Sequence, residues 1–184
     1  MDNGYVSMSS AAKGLKYIFW GCLLVFLDFN INNIDIIPDI IGWVLIIISL
    51  EYFEDFGINK SLVSGLSVVM IVFNIIGFIP MGIGIFTFVT RFLSTIFSMM
   101  IFNELFKTAA NIAAYMGNHS REQAIRNGLK VYLVMSAILA LLGGGLIIVP
   151  IAFVVAIVIV VVSIVMLYHL SYVMREAQAY SDGR

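Results

Sequence analysis

The sequence predicts an all-α fold: a polytopic membrane bundle of about six transmembrane helices in three hairpins, with both termini cytoplasmic. Three observations predict it. The first is a run of 44 residues, 131–174, without one Asp, Glu, Lys or Arg. As a helix it would measure about 66 Å, about twice a hydrocarbon core of roughly 30 Å, so it has to turn back within the membrane. The second is composition, with 61% hydrophobic and 11% charged residues and a mean hydropathy of +1.05, where a soluble domain carries about 25% charged residues. The third is the placement of the cations. Lys13, Lys16, Lys60, Lys107, Arg121, Arg126, Lys130, Arg175 and Arg184 fall on the side that holds both termini, and the opposite turns hold none. Such a bias places that side in the cytoplasm. The 184 residues leave room for one domain, 1–184, and no separate soluble module.

Helix one is predicted over 14–30. Lys13 and Lys16 ahead of the apolar run from Tyr17 to Leu27 resemble the start of a signal peptide. No small-residue cleavage site follows, only Asp28-Phe29-Asn30-Ile31-Asn32-Asn33, so the segment reads as a retained span. After a break at Asn30–Pro38, helix two covers 38–54, with Pro38 in its first turn and Asp39 at its positive dipole end. Both helices are short, about 25 Å each. They read as full spans, with Trp20 and Tyr17 near one face and Trp43 near the other.

The second hairpin has helix three over 61–79, a break at Gly77–Gly84 containing Pro80, and helix four over 84–116. Past Lys107 helix four reads as a solvated helix end, stopped by Gly117. Ser120-Arg121-Glu122-Gln123 then reads as a capping box with Ser120 as N-cap, and helix five enters the bilayer over 128–148. The third hairpin turns at Gly143-Gly144-Gly145 or at Pro150, and helix six covers 150–173. Gly14-Leu15-Lys16 and Gly128-Leu129-Lys130 open the first and third hairpins alike, a short trace of repetition. Tyr52, Tyr115, Tyr132, Tyr168 and Tyr172 lie toward the cytoplasmic side as an interface belt. Small residues four apart, such as Ser61/Gly65 and Ala110/Ala114, mark expected helix contacts.

Polar chemistry is sparse. Arg91 is the one basic residue that remains beside those nine, it falls well inside helix four, and a charge there needs a partner. Asp28, Asp35 and Asp39 lie at similar depth, with Asn74 in helix three. The sequence therefore predicts an outward-facing polar cluster of Arg91, Asn74, Asp28 and Asp39, read first as an ion pair between hairpins and second as a substrate site. Asp28, Asn30, Asn32 and Asp39 also match positions 1, 3, 5 and 12 of a calcium loop. Asn33 stands where that loop needs Gly, Asp39 where it needs Glu, and Pro38 restricts the exit. The pattern reads as Asn-rich turn chemistry, and no metal site is expected. His119 and His169 are fifty residues apart, with no H-E-x-x-H and no third His, and no nucleophile element or phosphate loop is present. Cys22 is the sole cysteine, which excludes an internal disulfide. The net charge of −1 gives no case for nucleic acid.

Gly14-Leu15-Lys16-Tyr17 followed by Asp35-Ile36-Ile37-Pro38-Asp39-Ile40-Ile41-Gly42-Trp43 resembles a group of small uncharacterised membrane proteins of low-GC Gram-positive bacteria. Their first hairpin carries a D-I-[IL]-P-D-x-I-G-[YW] signature. The likeness covers about forty residues and implies a bacterial cytoplasmic membrane. It carries over no activity, cofactor or catalytic residue. The expectation is a non-enzymatic multi-pass protein without cofactors, a structural or interaction subunit whose partners are the bilayer and a second copy or another membrane protein. A small transporter or channel-like protein built around Arg91 is the alternative.

Overall fold

Apolar runs dominate the chain, and the computed structural model, which describes residues 3–26, 36–77, 84–142 and 149–183, is helical over most of them. Among the described residues there are six α-helices and no strand: α1 Asn3–Phe26, α2 Ile36–Ser49, α3 Lys60–Gly77, α4 Gly84–Tyr115, α5 His119–Leu142 and α6 Val149–Ser181. Two short 3₁₀ turns, Leu50–Tyr52 and Glu54–Phe56, join α2 to α3. Two helices, over His119–Leu141 and Phe153–Ser181, are long and apolar enough to cross a membrane, and Lys60–Ile76 is a shorter apolar helix. Residues 27–35, 78–83 and 143–148, which contain Asp28, most of the calcium-like pattern, Pro80 and the Gly143–Gly145 run, lie outside the described residues.

Each helix packs against the next in sequence, and α6 packs against α1, so the bundle closes into a ring. Side-chain pairings show neighbours running in opposite directions. Gly14 of α1 meets Tyr52 and Phe53, while Gly21 meets Gly42 and Ile46. Across α4 and α5 the pairs are Asn111 with Arg126 and Phe102 with Tyr132. Across α5 and α6 they are Arg121 with His169 and Gly128 with Met166. The start of α1, the α2–α3 and α4–α5 connections and the end of α6 therefore share one end, here termed the near end.

The middle of the bundle is aromatic. Phe102, 1% exposed, has Phe26, Trp43 and Tyr132 around it at ring-centroid distances of 4.7, 5.9 and 5.7 Å. Toward the near end the core shifts to small side chains: Ala11, Ala12, Ala109, Ala110, Ala113 and Ala177 are all buried. The two Gly-Leu-Lys triplets play matching parts. Gly14 and Gly128 sit at helix contacts, Leu15 and Leu129 are buried, and Lys16 and Lys130 are exposed.

Four expectations are corrected. Helix one starts at Asn3, not Gly14, because Met8, Ala11, Ala12, Leu15 and Ile18 form one buried stripe at helical spacing. Helix six runs on to Ser181, burying Val173 and Ala177. With those turns in place, the segment past Lys107 is no solvated end: Thr108, Ala109, Ala110, Ile112 and Ala113 are buried. Trp43 is not an interfacial residue; it is 1% exposed against Phe102, and its Nε1 has no hydrogen-bond partner. Trp20, 49% exposed, keeps a position suited to an interface.

Candidate functional site

The predicted polar cluster extends beyond the described residues, and three of its four members can be placed. Asp39 occupies the first turn of α2 and is half-buried, Asn74 is half-buried on α3, and Arg91 is exposed on α4. Asp39 is engaged in an interaction of its own. Phe73, next to Asn74, stacks on Phe97 at 6.0 Å. Arg91 lies six residues further toward the start of α4, about 9 Å along the axis. The two side chains therefore sit at different heights. The Nδ2 of Asn74 is buried without a partner. Asp28 lies outside the described residues.

The polar chemistry that the fold does assemble lies at the near end, where α4, α5 and α6 meet. Gly117 adopts a left-handed φ of +77°, which ends α4 after Tyr115. Its N–H donates to the Ala114 carbonyl at 2.9 Å, and the Asn118 N–H donates to Ala113 at 2.9 Å, closing the last turn in a Schellman arrangement. Asn118 then starts the next helix. Its Oδ1 accepts from the Arg121 N–H at 3.0 Å, so Asn118, not Ser120, is the N-cap of α5. One residue thus closes one helix and opens the next.

The other half of the Asn118 amide reaches across the bundle, where Nδ2 donates to both carboxylate oxygens of Glu176 at 2.9 and 3.1 Å. Beside it, the Arg121 guanidinium lies 3.8 Å from the Tyr172 ring centroid and donates to His169 Nδ1 at 2.7 Å. A guanidinium only donates, so this Nδ1 is an acceptor and the imidazole is neutral with its proton on Nε2. Toward α4, Arg126 Nε donates to Glu122 at 2.9 Å and its NH2 donates to Asn111 Oδ1 at 2.9 Å. The hydrogen bonds from Arg126 and then His119 hold the Glu122 carboxyl below the usual carboxylate range. A carboxyl lowered in this way braces the turn at neutral pH, and the brace is lost only as pH falls through that lowered value.

Chemically the assembly is a clamp. Its polar groups are engaged with one another, and it has neither a nucleophile beside a base nor a convergent metal-ligand set; among the described residues no group of three His, Cys, Asp or Glu could hold a metal ion. Sequence reasoning weighed His169 as a metal ligand and did not join it to Arg121, nor Asn118 to Glu176. Asn118 directly after Gly117 was the available signal, since Asn is favoured both after a helix stop and as an N-cap. Asn118→Ala is expected to cost about 0.5–2 kcal/mol through the lost cap alone. Asn118→Asp keeps the cap but sets a carboxylate against Glu176, so adding Glu176→Gln should restore most of the stability lost by Asn118→Asp. Unfolding midpoints in mixed detergent micelles would measure both effects.

No protein-family model, curated protein or solved structure matches this chain.

Proposed function

We propose that this chain is a six-span integral membrane protein of a bacterial cytoplasmic membrane, non-enzymatic, with its near end in the cytoplasm, serving as a structural or interaction subunit. The observation that carries the reading is the outer surface of the bundle. Helices α2 to α6 all turn large apolar side chains outward: Ile41 and Val44 on α2, Val68 and Val72 on α3, Phe88 and Val89 on α4, Val131 and Val134 on α5. On α6 the stripe is continuous, with Ile157 at 48%, Val161 at 53% and Ile164 at 59% exposure. Soluble monomers rarely expose apolar patches beyond roughly 300–600 Å². Only 22% and 28% of the apolar windows of α5 and α6 are buried, which is unlike the core helices of a soluble protein. In lipid, this outward surface carries no penalty.

Length supports spanning by the shorter helices as well. α2 with the 3₁₀ turn that follows it reaches about 27 Å, close to a hydrocarbon core. The exposed ions of the described near end, Lys13, Lys107 and Lys130 among them, suit a cytoplasmic face.

The interior favours a structural role over transport. Phe102, Trp43 and Phe106 fill the axis, and the buried polar side chains among the described residues are hydroxyls: Ser49, Ser67, Thr108, Ser136 and Ser163. Ser49 and Thr108 hydrogen-bond carbonyls of their own helices, at 2.6 and 2.9 Å. Such groups leave little to line a conduit, and Arg91 faces outward rather than into one.

Fractionation and reporter fusions test the proposal. The chain is expected to stay with membranes through alkaline extraction. A periplasmic phosphatase should be active when fused at residue 33 or 145, and a cytosolic fluorophore should be bright when fused at residue 118. Phosphatase silence at 33 and 145 would reverse the orientation, and recovery of the chain in the aqueous fraction would end the membrane reading.

A further inference from the structure

We infer that the cleft between α1 and α2 at the near end binds the headgroup of an anionic glycerophospholipid. The inference rests on the membrane reading above and adds a ligand to it. The cleft measures about 490 Å³ and is lined by Lys13, Lys16, Tyr17 and Trp20 of α1, Leu45 of α2 and Tyr52 of the following 3₁₀ turn. Residues 13, 16, 17 and 20 are three, four and seven apart, so one face of α1 presents all four. Both lysines are exposed, and neither forms an ion pair among the described residues. Arg121 and Arg126 at the same end are by contrast spent on the clamp.

The order of the lining groups matches the order of groups in a lipid. From Lys13 to Trp20 the helix descends about 10 Å. Two ammonium groups come first, then the Tyr17 and Tyr52 phenols, whose rings stack at 5.7 Å, then the half-exposed Trp20 indole. Leu45 lies lower, because Ile46 beside it meets Gly21. A phosphate diester needs cations and hydroxyl donors, a glycerol ester backbone suits an amphipathic indole, and an acyl chain needs an aliphatic wall. A free phosphate would use the top of this gradient and leave the bottom unused. Basic pockets between spans on the cytoplasmic side are the physical setting in which anionic headgroups gain most.

The test is native mass spectrometry of the full chain in detergent, titrated with phosphatidylglycerol, phosphatidylcholine and inorganic phosphate in separate arms. Phosphatidylglycerol is expected to bind in preference to phosphatidylcholine. Lys13→Gln should weaken it about fivefold, and Lys13→Gln with Lys16→Gln about thirtyfold, from the usual worth of a lysine near an anionic headgroup. Lys107→Gln with Lys130→Gln removes the same charge away from the cleft and should leave the preference standing. Equal loss in the two double variants would overturn the site in favour of diffuse attraction. Tight binding of inorganic phosphate with no phosphatidylglycerol preference would overturn the lipid as its occupant. Quenching of Trp20 fluorescence by brominated phosphatidylglycerol, lost in the Lys13/Lys16 variant, gives a second readout that does not depend on mass. A chain that fractionates with membranes yet shows no lipid preference refutes the cleft alone; one found in the aqueous fraction refutes the membrane reading beneath it.

Discussion

Phe102→Ala should be the most damaging single truncation in the bundle. Phe102 is the one ring touched by α1, α2 and α5 at once, through Phe26, Trp43 and Tyr132. In a soluble core such a change costs about 3–5 kcal/mol, part of it the transfer of apolar surface to water. On the proposed membrane reading, helices that separate stay in lipid, so that part would be largely missing and the cavity term would dominate. Roughly 100 Å³ of lost side chain at about 24 cal/mol per Å³ gives about 2.4 kcal/mol. Phe102→Leu, which keeps most of the volume, should cost well under half as much. Midpoints of unfolding in mixed detergent micelles would measure both, and equal values for the two variants would show that the aromatic centre is not what holds the ring together.

Gly42→Val should come close behind, for the opposite reason. A Cβ at Gly42 would lie 2.8 Å from the Gly21 carbonyl oxygen and 2.7 Å from Val25 Cγ2, and a Cβ at Gly21 would lie 2.8 Å from the Gly42 oxygen. Backbone cannot swing aside as a side-chain tip can, so α1 and α2 must move apart. Overpacking of this kind costs about 1–3 kcal/mol. It would also open the contact next to the lysine cleft. Gly65→Val on α3 is the control, because nothing lies within 4 Å of its added Cβ and Gly65 is exposed. Its effect should stay within about 0.5 kcal/mol. A loss at Gly65 equal to that at Gly42 would mean that helix propensity, not the α1–α2 crossing, sets the cost.

These two sites show what the sequence disclosed and what it withheld. The all-helical character, the start of α3 and the end of α4 were legible because apolar runs and breakers such as Gly117 report on local backbone preference. The early turns of α1 were not, since Ser9, Ser10, Ala11 and Ala12 look like a polar lead-in, and only α6 and the end of α4 turn their small side chains into core. Spacing at four residues pointed to Ser61/Gly65, yet the close crossing uses Gly21 and Gly42 on different helices. A pattern within one helix cannot show which faces meet across two. Trp43 misled for a related reason: an indole fits an interface or a core equally well by composition, and Phe102 decides the matter sixty residues later. The clamp was hidden because its pairs are 48 and 58 residues apart. Arg91, found by its rarity alone, lies on α4 as expected, while Asp28, its nearest expected partner, falls outside the described residues.

The ring closes by joining its first helix to its last, and this has a consequence for how the chain is made. Residues 27–148 separate the end of α1 from the start of α6. At a synthesis rate of about 5–20 residues per second, that interval lasts roughly 6–24 s. Throughout it, the flank of α1 that α6 will cover waits without its final neighbour. A second nascent copy or an insertion factor meets this protein at its stickiest during those seconds, before the last hairpin seals the seam.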